Sequence, residues 1–341
     1  MHHSRLVVRC AESLLSLLLI LQATSSTVAA ADAEQSAARA TALLKQVGVN
    51  RGLCVVVGQE PGVVLELVQS SDLTVLVREP DAGRRSRLQQ AANEAGLGID
   101  RLVIQAGAAS RLPYADRLID AVITSKPELT DDEAMRALRP LGTLIRVAGN
   151  TLRTKRRPPQ KGAGDWSHWE NGPDNNPVST DSVIKAPYMT QFMARPYYIG
   201  MPSITTAAAG RTFLAIGHIA HHRREWKMLN KLIARNGYNG TVLWEKSLPE
   251  GYLVHRSAFV ATADTFYMIN GPGCQRLDPQ TGADLGRLRI PGLVGHWKWM
   301  VIRDGVLYAL AGPRDQGVVT TKGDRSFGGW SWSDLSRGYY S

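Results

Sequence analysis

The chain has 341 residues, of which 44% are hydrophobic and 21% are charged. Domains usually contain about 100 to 150 residues, so this length predicts two or more folded units, and the apolar content excludes a wholly disordered chain. The formal net charge is +10, but much of the excess lies in the run RTKRRPPQK, Arg153–Lys161. Such a run is typical of a solvated linker and does not indicate specific nucleic-acid binding. A weak contact with an anionic surface or polymer stays open.

The first 30 residues have the pattern of a signal peptide. Arg5 and Arg9 precede a short apolar run, Leu14–Leu21, and the small residues Val28–Ala30 provide a cleavage site. The apolar run is shorter than the roughly 20 residues that span a bilayer. We therefore expect cleavage and no stable membrane span, with an uncleaved anchor as the alternative. Either outcome predicts an exported protein, periplasmic or extracellular.

Cleavage leaves two cysteines, Cys54 and Cys274, which fall in different predicted domains. A disulfide scaffold is therefore not expected, and hydrophobic cores must hold the folded units together.

Residues 38–150 alternate between apolar runs and helical stretches. The order of strand, helix, strand and helix predicts an α/β Rossmann-like domain with a parallel sheet. The predicted strands are Leu53–Gly58, Leu73–Val77, Leu102–Gln105, Ile119–Thr124 and Gly142–Val147.

Two segments of this domain resemble the class I S-adenosylmethionine-dependent methyltransferases. The stretch AASRLPYADRLIDAVIT resembles the segment that leads into the fourth strand of that family. ALRPLGTLIRV resembles the start of the fifth strand, with Leu138, Arg139, Pro140 and Gly142 in the usual places. The resemblance covers about 110 residues in the correct order, and it implies a methyltransferase-like Rossmann fold.

The resemblance also implies a site for S-adenosylmethionine at the ends of the first two strands. In that family a glycine-rich turn lets the backbone approach the cofactor, and a carboxylate after the second strand binds the ribose hydroxyls. Gly58 and Gly62 match the turn in VVVGQEPG, and Glu79 in VREPD matches the carboxylate. These three residues are the candidate cofactor-binding residues, whereas no catalytic residue can be named.

Three positions depart from the family pattern. Val56 stands where an acidic residue is common, Glu60 replaces the middle glycine, and Gly107 falls where the family has an acid that contacts adenine. One interpretation is a methyltransferase with a variant pocket. The other is a Rossmann domain that has lost the cofactor and persists as structure. Export favours the second, because S-adenosylmethionine is made inside cells.

Beyond Gly149 the composition changes to Trp, Asn, Pro, Gly and Tyr, which predicts a linker and lead-in segment over residues 151–204. Its most distinctive part, Asp165–Asp181 (DWSHWENGPDNNPVSTD), has almost no periodicity. Its tryptophans, histidine and amides could line a ligand groove. The alternative is an ordered segment packed across the sheet that follows.

Residues 205–341 contain an internal repeat. NGYNGTVLWEKSLP, from Asn236, aligns with DPQTGADLGRLRIP, from Asp278, after 42 residues. TFYMINGP, from Thr265, aligns with VLYALAGP, from Val306, after 41 residues, and RTFLAIG is an earlier copy. A period near 40 residues with short apolar strands and Gly-rich turns predicts the four-stranded blades of an all-β propeller.

These repeats resemble the pyrroloquinoline-quinone-like (PQQ-like) β-propeller family, whose blades carry a D-x-x-T-G-x-x-x-W turn and strand. Asp278, Thr281 and Gly282 match that turn, and Trp244 supplies the tryptophan in the preceding copy. The resemblance covers two to three blades, whereas propellers have about four to eight. The sequence therefore predicts an incomplete propeller, either truncated or completed by another chain.

The resemblance does not extend to quinone chemistry. Quinoprotein dehydrogenases use a vicinal cysteine pair, and this chain has neither adjacent cysteines nor a CxxCH haem motif. PQQ is therefore not expected, and the propeller is predicted to be a scaffold or a binding surface for a protein or a glycan. Trp330 and Trp332 in the tail could stack on sugars or bases, or pack between blades.

One cluster has a metal-like composition, HIAHHRREW. His218, His221 and His222 could share a helix face and bind zinc or copper. Arg223 and Arg224 would oppose a cation there. We therefore expect a solvated basic loop and no metal site.

The sequence thus predicts an exported binding or scaffold module with a degenerate cofactor site. The alternative is an S-adenosylmethionine-dependent methyltransferase whose propeller selects a partner or a substrate.

Overall fold

The computed structural model describes residues 31–187, 189–197, 200–219, 223–249, 252, 254 and 258–313. The chain divides into two compact units, residues 1–157 and 158–341. The predicted signal peptide, His221, His222 and the tail with Trp330 and Trp332 lie outside the described residues.

The first unit is built on one six-stranded sheet with the order β3-β2-β1-β4-β5-β6. Strands β1 to β5 are parallel, and β6 is antiparallel to β5. The five predicted strands are these five parallel strands. The elements are α1 (31–47), β1 (Arg51–Val57), α2 (Pro61–Gln69), β2 (Asp72–Arg78), α3 (Ala82–Glu94), β3 (Leu102–Gln105), β4 (Ile119–Thr124), α4 (Asp131–Ala137), β5 (Leu138–Ala148) and β6 (Thr151–Arg156).

The apolar runs form strands because both faces of the sheet are covered. Cys54 and Val56 of β1 point into one buried cluster, which also holds residues of α1, α2 and α3. Val55 and Val57 point into a second cluster with α4 and the loop before β4. A central parallel strand buried on both faces has a nearly continuous apolar sequence, as β1 does.

The predicted linker begins inside this sheet, which corrects the boundary at residue 150. Thr151–Arg156 is the edge strand β6, paired with β5 over six residues. The cations that suggested a solvated linker lie along that edge, where Lys155 pairs with Asp131. Charged side chains on an edge strand oppose further strand pairing, so the basic run protects the sheet.

A buried carboxylate in β4 connects this central strand to its two neighbours, β1 and β5, through its side chain. Asp120 of β4 is 2% exposed, accepts a hydrogen bond from the Leu53 N–H (2.9 Å) and pairs with Nε of Arg139 (2.5 Å). A Cβ on Gly142 would lie 2.9 Å from the carbonyl oxygens of Asp120 and Arg139. Position 142 of β5 therefore needs glycine, because a side chain there would collide with the backbone beside this pair.

The described part of the second unit contains three antiparallel sheets, in which consecutive strands pair in chain order. We name them sheet A, sheet B and sheet C. Sheet A contains β7 (Met201–Ala208), β8 (Arg211–Ile219), β9 (Lys231–Asn236) and β10 (Val242–Ser247), sheet B contains β11 (Phe259–Ala261), β12 (Phe266–Ile269), β13 (Gly273–Leu277) and β14 (Asp284–Arg289), and sheet C contains β15 (His296–Arg303) and β16 (Val306–Gly312).

The sequence repeat corresponds to the turn between the third and fourth strands of a sheet. In sheet B, Asp278 Oδ1 accepts hydrogen bonds from the backbone N–H groups of Gln280 and Thr281, both at 2.8 Å. Gly240 in sheet A and Gly282 in sheet B have nearly equal positive φ angles, 73° and 72°. The repeated glycine is therefore needed for the left-handed backbone of this turn.

Sheets A and B share one aromatic core. Phe213 of sheet A lies 4.6 Å from Phe266 of sheet B between ring centroids. The Trp244 ring lies against Gly282, where a Cβ would approach it to 2.7 Å, and its Nε1 donates to the Pro279 carbonyl. The tryptophan and glycine of the repeat thus join one sheet to the turn of the next. Within the described residues the three sheets do not close into a propeller.

Residues 165–171, which we call the strap, connect the first strands of all three sheets. Trp166 pairs with Ala207 of β7, and the Ser167 carbonyl accepts a hydrogen bond from the backbone of β11. His168 Nε2 accepts a hydrogen bond from the Ile302 N–H of β15 at 3.2 Å. His168 is 6% exposed. The strap is thus an ordered segment packed across the sheets, as one of the two sequence interpretations predicted, and not an open groove.

The first prediction concerns Asp120. Asp120→Ala leaves the half-buried Arg139 and the Leu53 N–H without their acceptor, so we expect a loss of about 3 to 5 kcal/mol in the free energy of unfolding. Urea denaturation followed by the far-ultraviolet circular dichroism of the helices measures it. Asp132→Ala, at an exposed position of α4, is the matched control and should cost about 0.5 kcal/mol. Equal losses in the two variants would contradict the role given to Asp120.

The second prediction concerns His168. Burial lowers its pKa from 6.5 to about 4, opposed by the charge of Asp174. The folded state therefore binds the proton less readily than the unfolded state, so stability is full above about pH 6.5 and falls as the pH drops towards 4. All eight tryptophans lie beyond residue 158, so tryptophan fluorescence reports on this unit.

His168→Gln should flatten the dependence of the unfolding midpoint between pH 6.5 and 4, whereas His296→Gln should keep it. An unchanged slope in His168→Gln would show that the strap histidine does not titrate in this way.

Candidate functional site

The carboxyl ends of the parallel strands bring the candidate residues to one edge of the sheet. Gly58 follows β1, Glu79 follows β2, Gly107 follows β3 and Ser125 follows β4. The chain changes direction across the sheet between β1 and β4, because β2 and β3 lie on one side of β1 and β4 lies on the other. Ligands of open α/β sheets bind outside the carboxyl ends at such a switch point.

The turn between β1 and α2 needs its glycines because side chains of the protein pack on it. Gly58 has φ +76°, and a Cβ there would lie 2.7 Å from Ser125 Oγ and from Lys126 Cγ. A Cβ on Gly62 would lie 2.7 Å from Ser36 Oγ of α1. The aliphatic part of Lys126 thus covers Gly58 on the side towards β4.

Glu79 is held by hydrogen bonds within the protein. It is 6% exposed. Its Oε1 accepts from the Asp81 N–H at 3.1 Å, and its Oε2 pairs with Nε of Arg84 at 3.1 Å. Both carboxylate oxygens, the atoms that would receive ribose hydroxyls, therefore have donors from the chain itself.

Arg84 extends from the first turn of α3 to the turn after β1. Its Nη2 donates to the Gln59 carbonyl at 3.2 Å and pairs with Glu60 Oε1 at 3.4 Å. Burial works to lower the pKa of Arg84, but the carboxylates of Glu60 and Glu79 outweigh it and raise that pKa above its usual value. The guanidinium is therefore a fixed positive charge between the ends of β1 and β2.

A second arginine covers the end of β3. The Arg78 guanidinium donates to the carbonyls of Ala106 and Ala108 and lies where a side chain on Gly107 would be. Next to it, the Tyr114 hydroxyl donates to Gln105 Oε1 at 2.9 Å. Burial raises the pKa of Tyr114 to about 12, against the opposing charge of Arg78, so the phenol stays protonated and is a poor general base.

A cavity of about 800 Å³ opens beside the β1–α2 turn, on the side of α1. Gly58 and Gly62 line it, and Glu79 does not. The full lining is Asp32, Ala33, Gln35, Ser36, Arg39, Gly58, Gln59, Glu60, Gly62, Val63, Leu65, Glu66, Gln69, Ser125, Val147, Gly149 and Asn150.

The structure therefore brings the three sequence-predicted residues to one edge but gives them different surroundings. Gly58 and Gly62 contact neighbouring side chains and also line the cavity, whereas Glu79 does not line it and pairs with Arg84. In this arrangement the residues do not fit S-adenosylmethionine in the manner of the family, because the carboxylate that the ribose hydroxyls would have to reach is 6% exposed and paired with Arg84. Sequence reasoning missed Arg78 and Arg84, for which the only signal is the density of arginines around VREPDAGRR.

The other candidate reactive groups of the described residues are thiols and clusters of metal-binding side chains. Cys54 and Cys274 are free and buried, and burial raises the pKa of each thiol to about 12. Within the described ranges, no three or more histidine, cysteine or acidic side chains lie together in a way that could hold a metal ion. The side chain of His218 is not among those described. In the same part of the chain, no helix is long and apolar enough to cross a membrane.

The third prediction concerns the contact between Glu79 and Arg84. Glu79→Gln removes a charge-assisted bond inside the protein, so we expect the free energy of unfolding to fall by about 1 to 3 kcal/mol. Glu60→Gln is the matched control: its side chain is 74% exposed, and the loss should be below about 1 kcal/mol. Urea denaturation measures both. A smaller loss for Glu79→Gln than for Glu60→Gln would contradict the structural role of Glu79.

No protein-family profile matches the chain, and no curated protein matches it. Among solved structures, it is similar to a methyltransferase from Aquifex aeolicus dependent on S-adenosylmethionine, at 19% identity over 35% of this chain and 69% of that chain, with a TM-score of 0.28.

Two further similar structures are an O-methyltransferase from Thermotoga maritima and a geranyl diphosphate C-methyltransferase from Streptomyces coelicolor. The first shares 18% identity over 33% of this chain and 44% of that chain, with a TM-score of 0.29. The second shares 16% identity over 32% of this chain and 44% of that chain, with a TM-score of 0.28.

The chain spans about half the length of several such structures. Strand order and parallel register, rather than these overlaps, define the architecture of residues 51–156. The first unit therefore has a Rossmann-like α/β fold, and the described part of the second consists of antiparallel sheets.

Proposed function

We propose that this protein is an exported binding or scaffold module whose Rossmann unit does not use S-adenosylmethionine. The observation that carries the proposal is the engagement of Glu79, whose two carboxylate oxygens are bonded to Arg84 and to the Asp81 N–H. To reach this carboxylate, which is 6% exposed, a ribose would have to displace the Arg84 side chain that is paired with it. Breaking such a pair leaves an uncompensated charge, which is costly.

The second unit supports a binding role. Sheets A and B repeat the same glycine turn and pack on a common aromatic core, and the strap fixes sheet C to them. Repetition of this kind is how PQQ-like propellers build a rigid surface, and we propose that the sheets of this unit are blades of a propeller of that type. Its partner in this proposal is a protein or a glycan. PQQ is not part of the proposal, because the vicinal cysteines of quinoproteins are missing.

The alternative function is a methyltransferase, with the propeller selecting its partner or substrate. One observation favours it: Gly58, Gly62 and Glu79 lie at one edge of the sheet, and the cavity of about 800 Å³ opens beside the two glycines. In that case Glu79 would have to exchange Arg84 for the cofactor on binding.

The fourth prediction separates the two functions. Titration calorimetry of the folded full chain with S-adenosylmethionine should give no saturable heat, because Glu79 is buried and paired with Arg84, so the ribose cannot reach its carboxylate. A thermal melt before and after the titration verifies the fold. Saturable heat that Glu79→Ala weakens would establish cofactor binding and reject the proposed function in favour of the methyltransferase.

A further inference from the structure

Two of the three departures from the methyltransferase pattern each receive an arginine. Glu60, at the position of the middle glycine, pairs with Arg84 at 3.4 Å. Gly107, at the position of the adenine-contacting acid, has no side chain, and the Arg78 guanidinium fills that space. Glu60 therefore attracts one cation and Gly107 leaves room for another. Both cations lie at the edge of the sheet formed by the carboxyl ends of β1, β2 and β3, which we call the cofactor edge.

The backbone beneath these arginines keeps the form that a ligand would need. Gly58 retains its positive φ, and α2 begins at Pro61 with no side chain of its own capping its amino end. Glu79 stays buried directly after β2. The backbone of the strands therefore leaves the positions beside Glu79 and Gly107 open, and the side chains of Arg84 and Arg78 cover them.

We infer that the side chains of Arg84 and Arg78 block a nucleoside site. Arg84 occupies the ribose position and Arg78 occupies the base position. This inference rests on the proposed function, because the two arginines are the reason why the Rossmann unit does not use S-adenosylmethionine. Arg84 is anchored because the first turn of α3, where Asp81 accepts the Arg84 N–H at 2.6 Å, fixes where its side chain begins. From there it reaches Glu79 and the Gln59 carbonyl at the same time.

Removal of both side chains changes what Glu79 requires. The carboxylate keeps the hydrogen bond from the Asp81 N–H but loses the Arg84 guanidinium, so its buried Oε2 atom needs a new donor. The vicinal hydroxyls of a ribose supply such donors, and the uncovered space beside Gly107 admits the base. The class of ligand is therefore a nucleoside with a free ribose diol, and adenosine is the probe.

Equilibrium dialysis of the full chain with adenosine tests the inference. Binding of adenosine to the wild type should not saturate in the millimolar range. Binding to Arg78→Ala/Arg84→Ala should saturate at concentrations at least about tenfold lower. Adding Glu79→Gln to that double variant should abolish the gain. Arg87→Ala is the matched control, since Arg87 is an exposed arginine of the same helix, and it should behave as the wild type.

A folded double variant that binds no adenosine would overturn the inference while leaving the proposed function standing. Equal binding by the wild type and the double variant would also overturn it. Saturable binding of S-adenosylmethionine by the wild type would instead overturn the proposed function. Where the alanine variant does not fold, Arg78→Met/Arg84→Met keeps the aliphatic stems, removes the guanidinium groups and is judged by the same outcomes.

Discussion

A carboxylate buried at the end of a strand has to keep hydrogen-bond donors, and in this protein that requirement on Glu79 shapes the whole cofactor edge. Glu79 is 6% exposed, so bulk water has little access to its carboxylate, and burial of a charge without partners is costly. Arg84 and the Asp81 N–H supply them. Because Arg84 also bonds to the turn after β1, the pairing joins the ends of β1 and β2. The residue that resembles a ligand contact thus acts as a structural contact.

The second unit depends on a different device, the repetition of one turn. Gly282 admits both the left-handed turn and the ring of Trp244 from the preceding sheet. Each sheet that carries the tryptophan can therefore pack on the turn of the next. The strap adds hydrogen bonds that the repeat does not provide, one of them from Ile302 to His168. Regular packing and one irregular segment together hold the three sheets.

The sequence predicts the strands of the first unit well because a central parallel strand must be apolar on both faces. β4 shows this most clearly, since all six of its residues are buried. The sequence fails at β6, because an edge strand is exposed and its cations suit a linker equally well. Gly58, Gly62 and Glu79 were predicted to lie at one edge from the resemblance to the methyltransferases. Which cations reach that edge was not predictable, because it depends on the direction of the α3 side chains in space.

The presence of a buried carboxylate, Glu79, at an edge covered by two arginines also has a physical explanation. A domain that does not bind a cofactor cannot leave a buried carboxylate without partners, since the uncompensated charge would destabilise it. Two solutions exist: loss of the carboxylate or gain of a cation. This chain has the second, and Glu60 adds a further negative charge that holds the Arg84 guanidinium in place. The same acidic residue that indicates a ribose site in the sequence is therefore accounted for by a site that its own arginine fills.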